Sequence, residues 1–254
     1  MTAQTEEAAD QQAIEASPAE EEFPRRILVV AAHPDDAEFG CGGTVAKWVR
    51  KGATAFYLIC TNGDKGSDDY GVDPKELAVL REREQRAAAA TIGVSEVTFL
   101  PRRDGELIYS MELRGDVVRW IRTWKPEAVF THDPRAIISS AGFVNHADHR
   151  ATGQSAVDAV YPFARSPLQY PEQITEGLEP HSVPQLYLWG AADPNFWVDV
   201  TESIDCKVDA LKNHASQFKD FERVTEFAKE RLKKTGAEHG VDYAESFHRI
   251  VFRL

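Results

Sequence analysis

Two short stretches hold the residue types that metal-assisted chemistry uses: His33-Pro34-Asp35-Asp36 and Asn145-His146-Ala147-Asp148-His149-Arg150. A His and a carboxylate three positions apart on a Pro-stiffened loop can converge on one ion. Imidazole with carboxylate is a ligand set suited to Zn2+. The intervening Asp35 points elsewhere. Held beside a metal without being spent on it, it is placed to take a proton from a metal-bound water whose pKa has fallen to about 7. Taken alone, Asp35 or Asp36 would serve equally well as the cap of a following helix. In the second stretch His146 and His149 stand at i and i+3 and share a face of a first helical turn. One of them can complete a His/Asp/His set that leaves coordination positions open. The other can protonate a leaving group or stabilise charge on a reacting oxygen, and Asp148 can accept a ring N–H and fix a tautomer. An isolated H-x-x-H is ordinarily a solvated pair, so the weight lies in the two stretches occurring together.

The elements that must position them follow an alternating pattern. RRILVVAA is a β-branched run suited to a strand buried on both faces, and the polar loop His33 to Glu38 follows it. A helix through Val45, Trp48 and Val49 ends at Gly52. Strands are expected at 54–60, 97–100 and 127–132, with helices at 76–93 and 112–124 between them. A further helix should begin near His146 and run to about Tyr161, followed by a Pro-rich connection over 162–184. Strand candidates at 185–190 and 196–200 precede a helical part around 204–235 and a last strand from Phe247 to Phe252. Alternation of this kind implies a single Rossmann-like α/β domain, a mostly parallel sheet with helices on both faces. Both chemical stretches then fall where a strand gives way to a helix, the side on which open α/β sheets bind ligands.

Of 254 residues, 43% are hydrophobic, enough to bury a large core. The net charge is −12, but residues 1–22 carry seven acids and no Lys or Arg, leaving −5 for the remainder. We expect residues 1–22 to be a disordered acidic tail and 23–254 to be the folded domain. With no basic footprint, neither nucleic acid nor an anionic membrane is an expected partner. The longest apolar run, Ile27 to Ala32, is far short of the roughly 18–20 residues of a membrane helix, and nothing reads as a signal peptide, so a cytoplasmic protein is expected. Three cysteines without a C-x-x-C pairing argue against a disulfide framework and against a thiolate zinc site. Gly40, Gly42 and Gly43 invite a nucleotide-binding reading, in which the protein would be a nucleotide-dependent oxidoreductase or binding module. Their spacing does not fit G-x-G-x-x-G, and the acids Asp35, Asp36 and Glu38 would repel phosphate. Helix packing explains them better. Trp189 and Trp197 can stack on a sugar, although Trp in a strand ordinarily belongs to the core.

AHPDDAEFGCGGTVAKW, TNGDKG, the Arg81–Glu84 R-x-x-E with its following IGV, Asp104-Gly105, NHADHR and VDALKNHASQ together resemble the zinc-dependent N-deacetylases of the LmbE-like (PIG-L) superfamily over about 26–220. The resemblance implies that His33, Asp36 and His149 ligate Zn2+, for which Fe2+ or another divalent ion can substitute. It implies that Asp35 is the general base, that His146 is the acid or electrostatic partner of the tetrahedral intermediate, and that Asp148 stands behind the ligands. Arg81 and Asp104 match sugar-binding positions, against the plainer reading of a surface Arg/Glu helix pair. His214 matches a position near the site, against that of an ordinary packed His. The implied reaction is metal-assisted removal of acetyl from an N-acetylglucosaminyl compound. A thiol-sugar conjugate or another amide is the alternative substrate. Several relatives assemble, so a homo-oligomer is compatible with the resemblance. One departure stands out: where some relatives carry Tyr two residues before H-x-x-H, this chain has Val144, so the oxyanion donor must be His146, a backbone N–H or another loop. The stretches 63–73 and 133–144 are expected to shape substrate choice.

Overall fold

The computed structural model describes residues 23–135, 137–138 and 144–252. The expected acidic tail, residues 1–22, lies outside them. Strands β1 (Arg26–Ala31), β2 (Thr54–Ile59), β3 (Glu96–Phe99), β4 (Ala128–His132), β5 (Gln185–Trp189), β6 (Phe196–Asp199) and β7 (Ala244–Val251) form one sheet in the order β3-β2-β1-β4-β5-β7-β6. The first five are parallel, with Val29 of β1 opposite Tyr57 of β2 and Phe130 of β4. β7 enters antiparallel between β5 and β6.

Helices cover both faces, and β1 shows why its sequence is apolar without alternation. Ile27, Val29 and Ala31 pack with residues of α1 (Asp36–Arg50), α2 (Pro74–Ile92) and α6 (Ile204–Leu211), while Leu28, Val30 and Ala32 pack with residues of α3 (Met111–Trp124) and α4 (Ala147–Asp158). Successive side chains point to opposite faces, so a strand with helices on both sides has no position left for a polar residue. Burying each of these Ile, Leu and Val side chains contributes about 1.5–3 kcal/mol, which makes the centre of the sheet a firm base for the loops at its carboxyl ends.

The element boundaries differ from the sequence expectation at five informative places. The polar loop after β1 is shorter than expected, because α1 already begins at Asp36. Asp35 takes the N-cap position with φ 97°, yet its side chain makes no capping bond. The helical part around 204–235 is two helices, α6 and α7 (Phe221–His239), the second restarted by Asp220, whose carboxylate accepts from the backbone N–H of Arg223. The last strand begins at Ala244, three residues before Phe247, where alternation in Ala-Glu-Ser is too polar to read as strand. Finally, His146 caps α4 and does not belong to its first turn, and a short helix, α5 (Pro171–Thr175), interrupts the Pro-rich connection.

The glycines of α1 are packing residues. A Cβ at Gly40 would meet the Trp189 ring at 2.5 Å, and one at Gly43 would meet Val200 at 3.0 Å. Close approach of α1 to β5 therefore requires glycine at position 40.

Candidate active site

β1 and β4 lie side by side, and the chain leaves β1 toward β2 on its other flank, so their carboxyl ends open a crevice at the point where strand order reverses. His33 lies two residues past the end of β1, and His149 sits in the first turn of α4, which follows β4. Their nitrogens face each other, with His33 Nδ1 and His149 Nε2 3.3 Å apart. Asp36 lies between them, Oδ2 3.3 Å from His33 Nδ1 and Oδ1 3.1 Å from His149 Nε2. Donors bonded tetrahedrally to a single Zn2+ at about 2.0–2.1 Å are separated by about 3.3–3.4 Å. The two His nitrogens stand at that separation and the Asp36 carboxylate turns one oxygen to each, so the three side chains could share a cation, and they come from positions 113 and 116 residues apart along the chain.

The far side of the His33 ring is held equally firmly. Its Nε2 lies 3.0 Å from Asp148 Oδ2 and 3.1 Å from Asp104 Oδ1. Burial alone would lower the pKa of His33, but Asp104, Asp148 and Asp36 push it up to about 12. Asp148 is itself fully buried and accepts from the backbone N–H of Gly105 at 2.7 Å and of Leu107 at 3.1 Å. The ring it fixes belongs to the other stretch. Asp104 is fixed in turn by Asp64 of the TNGDKG stretch, whose carboxylate accepts from the Asp104 backbone N–H at 2.9 Å.

Asp35 stands beside this cluster without joining it. Burial is the main cause that raises its carboxyl, with the Asp36 charge adding to it and Arg81 opposing, to about 6. Arg81 is buried, donating from Nη2 to Pro34 O at 2.7 Å and to Asp35 Oδ2 at 3.4 Å and from Nη1 to Gly63 O at 3.1 Å, with Asp104 Oδ2 3.6 Å away. Arg81 and Glu84 thus form no surface pair. Glu84 turns away to accept from the N–H and hydroxyl of Ser216. His214 is fully buried against Glu38, 3.2 Å from its Oε2.

His146 is exposed at the mouth, its ring edge-on to His33 with centroids 4.9 Å apart. Its Nδ1 accepts from the Asp148 backbone N–H at 3.2 Å, so the neutral ring carries its proton on Nε2 as a donor. Partial burial, then the His33 and His149 rings, hold its pKa below the ordinary value.

One member of the cluster was not singled out from the sequence. His132, the last residue of β4, has Nε2 3.4 Å from Asp36 Oδ2, and its ring stacks on His149 at 4.1 Å. The Trp189 indole N–H donates to its Nδ1 at 3.2 Å, and the Ala32 backbone N–H donates to its Nε2 at 3.2 Å. Burial, the main cause, drops its pKa to about 4, so the ring is neutral. The available signal was its position, at the carboxyl end of the strand beside β1. A cavity of about 440 Å3 opens over the cluster, bounded by Asp36, His132, His146 and His149 and, across from them, by Phe227 and Arg231 of α7. Val144 lines it too. Of the stretch 133–144, residues 136 and 139–143 lie outside the described residues.

The family model described as PIG-L, GlcNAc-PI de-N-acetylase, matches residues 28–160, more than half of the chain and the part that carries the whole cluster. The chain belongs to the PIG-L family. Among PIG-L relatives, a diacetylchitobiose deacetylase of Thermococcus kodakarensis is 34% identical over 194 residues, 76% of this chain and 70% of the relative. A 1D-myo-inositol 2-acetamido-2-deoxy-alpha-D-glucopyranoside deacetylase of a Mycobacterium species is 27% identical over 246 residues, 79% of this chain and 77% of the relative. In structure, the N,N'-diacetylchitobiose deacetylase of Pyrococcus horikoshii superimposes with a TM-score of 0.83 at 33% identity, covering 90% of this chain and 84% of the other. The single α/β domain with a mostly parallel sheet and helices on both faces, expected from the alternating pattern, is the fold found. No helix among the described residues is long and apolar enough to cross a membrane.

Proposed function

We propose that this PIG-L protein is a Zn2+-dependent hydrolase that removes the acetyl group from an N-acetylglucosaminyl substrate. The observation that carries the reading is the meeting of His33 Nδ1, Asp36 and His149 Nε2 at 3.1–3.3 Å with Asp35 unattached beside them. A metal held by four protein ligands for structure alone would leave no carboxylate spare.

His33, Asp36 and His149 would hold the cation, which when bound polarises the acetyl carbonyl and acidifies water at the site. Asp35 takes the proton of the attacking water on its carboxylate. The Nε2–H of His146 donates to the carbonyl oxygen as charge develops there, the role left open by Val144. As the C–N bond breaks, a proton returns to the departing nitrogen, giving acetate and a free amine. Asp148 and Asp104 keep the His33 ring turned so that Nδ1 faces Asp36. Arg81, closed in by Pro34, Gly63 and Asp35, acts on this reading by orienting the Asp35 loop, with sugar contact left to Asp104.

The names of the relatives support an acetamido sugar carrying a second group, and the cavity continues past the cluster to α7, with room for one. Three unpaired cysteines are in keeping with a cytoplasmic setting. The test is metal analysis of the purified protein together with acetate release from N-acetylglucosamine, diacetylchitobiose and a thiol-sugar conjugate. Stoichiometric zinc and acetate from the acetylated sugars are expected. Zinc with cleavage of the conjugate alone would move the substrate to another amide. Absence of bound divalent metal after purification and reconstitution would overturn the reading.

A further inference from the structure

We propose that Gln85 is a positioning residue for Asp35, setting its main chain through a buried hydrogen-bond relay that begins at His214. The inference rests on the reading of Asp35 as proton acceptor. Asp35 is a non-glycine residue at φ 97° and ψ −27°, a conformation that L residues leave unless something holds them. Its side chain is not spent on capping α1, and its main-chain N–H has a buried partner of its own. The Asp35 N–H donates to Gln85 Oε1 at 2.9 Å.

The orientation of the Gln85 amide is not free. Its Nε2 donates to Glu38 Oε1 at 2.8 Å, and an ionised carboxylate only accepts, so Oε1 must be the atom that faces Asp35. The second oxygen of Glu38 lies 3.2 Å from His214 Nε2. Glu38, Gln85 and His214 are each 0% exposed. The direction of every bond is therefore determined: His214 and Gln85 donate to Glu38, and Asp35 donates to Gln85. α2 restrains the loop twice, since Arg81, one helical turn earlier, holds Pro34 O and approaches the Asp35 carboxylate from the other side. Arg81 supplies charge, and Gln85 supplies an acceptor for a backbone N–H that would otherwise be orphaned.

Without that acceptor the chain at Asp35 relaxes out of the left-handed region and carries the carboxylate away from the attacking water. A misplacement of about 1 Å costs on the order of 100-fold in rate. Zinc-loaded full-length Gln85→Leu is therefore expected to keep its metal and its KM for diacetylchitobiose and to lose about 100-fold in kcat. The exchange Glu38→Gln with Gln85→Glu restores the relay: the new carboxylate accepts from both Asp35 N–H and the new amide, whose oxygen accepts from His214. It should recover kcat to within about tenfold of wild type, where either single exchange does not. Combined with Asp35→Ala, Gln85→Leu should add no further loss. A wild-type kcat in Gln85→Leu, failure of the double exchange, or a full further loss on top of Asp35→Ala overturns the role of Gln85 alone. Undiminished turnover in Asp35→Ala by itself overturns the base assignment and the role of Gln85 with it.

Discussion

The His33 ring nitrogen Nε2 sits 3.0 Å from Asp148 Oδ2, so the imidazole of the first stretch is oriented by the carboxylate of the second. The two stretches are thus bound to each other on both edges of one ring. Asp148 also accepts from Gly105 and Leu107, which ties the loop after β3 into the same arrangement.

From that relationship, Asp148→Ala should weaken metal binding by about 10–100-fold while leaving the three ligands in place. Competition with a chelator of known affinity measures it. Affinity equal to wild type would show that the His33 ring needs no partner behind it.

Asp35→Ala and His33→Ala should separate chemistry from metal binding. The first is expected to retain zinc and lose about 100- to 10,000-fold in kcat, the loss of a positioned base. His33→Ala and His149→Ala are expected to lose the metal itself. Equal metal loss in all three would make Asp35 a ligand.

The pKa of Asp35 gives an acid limb to activity. Only the carboxylate can take a proton, so the rate should fall as pH drops through about 6, or lower where a bound cation adds positive charge beside it. The same shift acts on stability with the opposite sense. Between the ordinary carboxylate value of 3.8 and about 6 the folded chain binds the Asp35 proton more tightly than the unfolded chain, so this group's contribution to stability declines as pH rises through that window. A rate–pH profile in Asp35→Glu that keeps the same limb would assign it to another group.

Lys207 and Glu245 form a pair at 2.6 Å with both side chains 2% exposed, on the wall behind α1. Glu245 also accepts from the backbone N–H of Gly43 and of Thr44. Lys207→Met leaves that carboxylate buried without its cation and should cost about 3–5 kcal/mol, read as a shift in denaturant midpoint at constant m. Loss of a few tenths only would mean the two backbone N–H groups satisfy Glu245 unaided.

The five parallel strands were legible because each is a short apolar run separated by a helix with 3.6-residue spacing. The insertion of β7 between β5 and β6 was not. Its neighbours are set by packing at the far end of the chain, and no local pattern records which strands a distant one pairs with. At the site, residue types at close spacing were readable, so His33, Asp36, His146, Asp148 and His149 were found together. His132 escaped because a single His at the end of an apolar strand has no sequence neighbour to mark it. Gln85 escaped because its meaning lies in contacts with residues 47 and 50 positions away. The partner of Asp148 was readable as a ring N–H, but which ring required the fold.

The left-handed backbone at Asp35 has a consequence for how such chains diverge. The proposed mechanism asks for an acid at this position, whereas conformational energy favours glycine, which adopts φ 97° without a Cβ penalty of about 1–2 kcal/mol and carries no carboxyl to desolvate. Asp35→Gly should melt at a higher temperature than the wild type while losing turnover to the extent expected for Asp35→Ala. A descendant released from selection for turnover would drift toward that residue, and the side chain found at this one position would then distinguish working enzymes from inherited scaffolds.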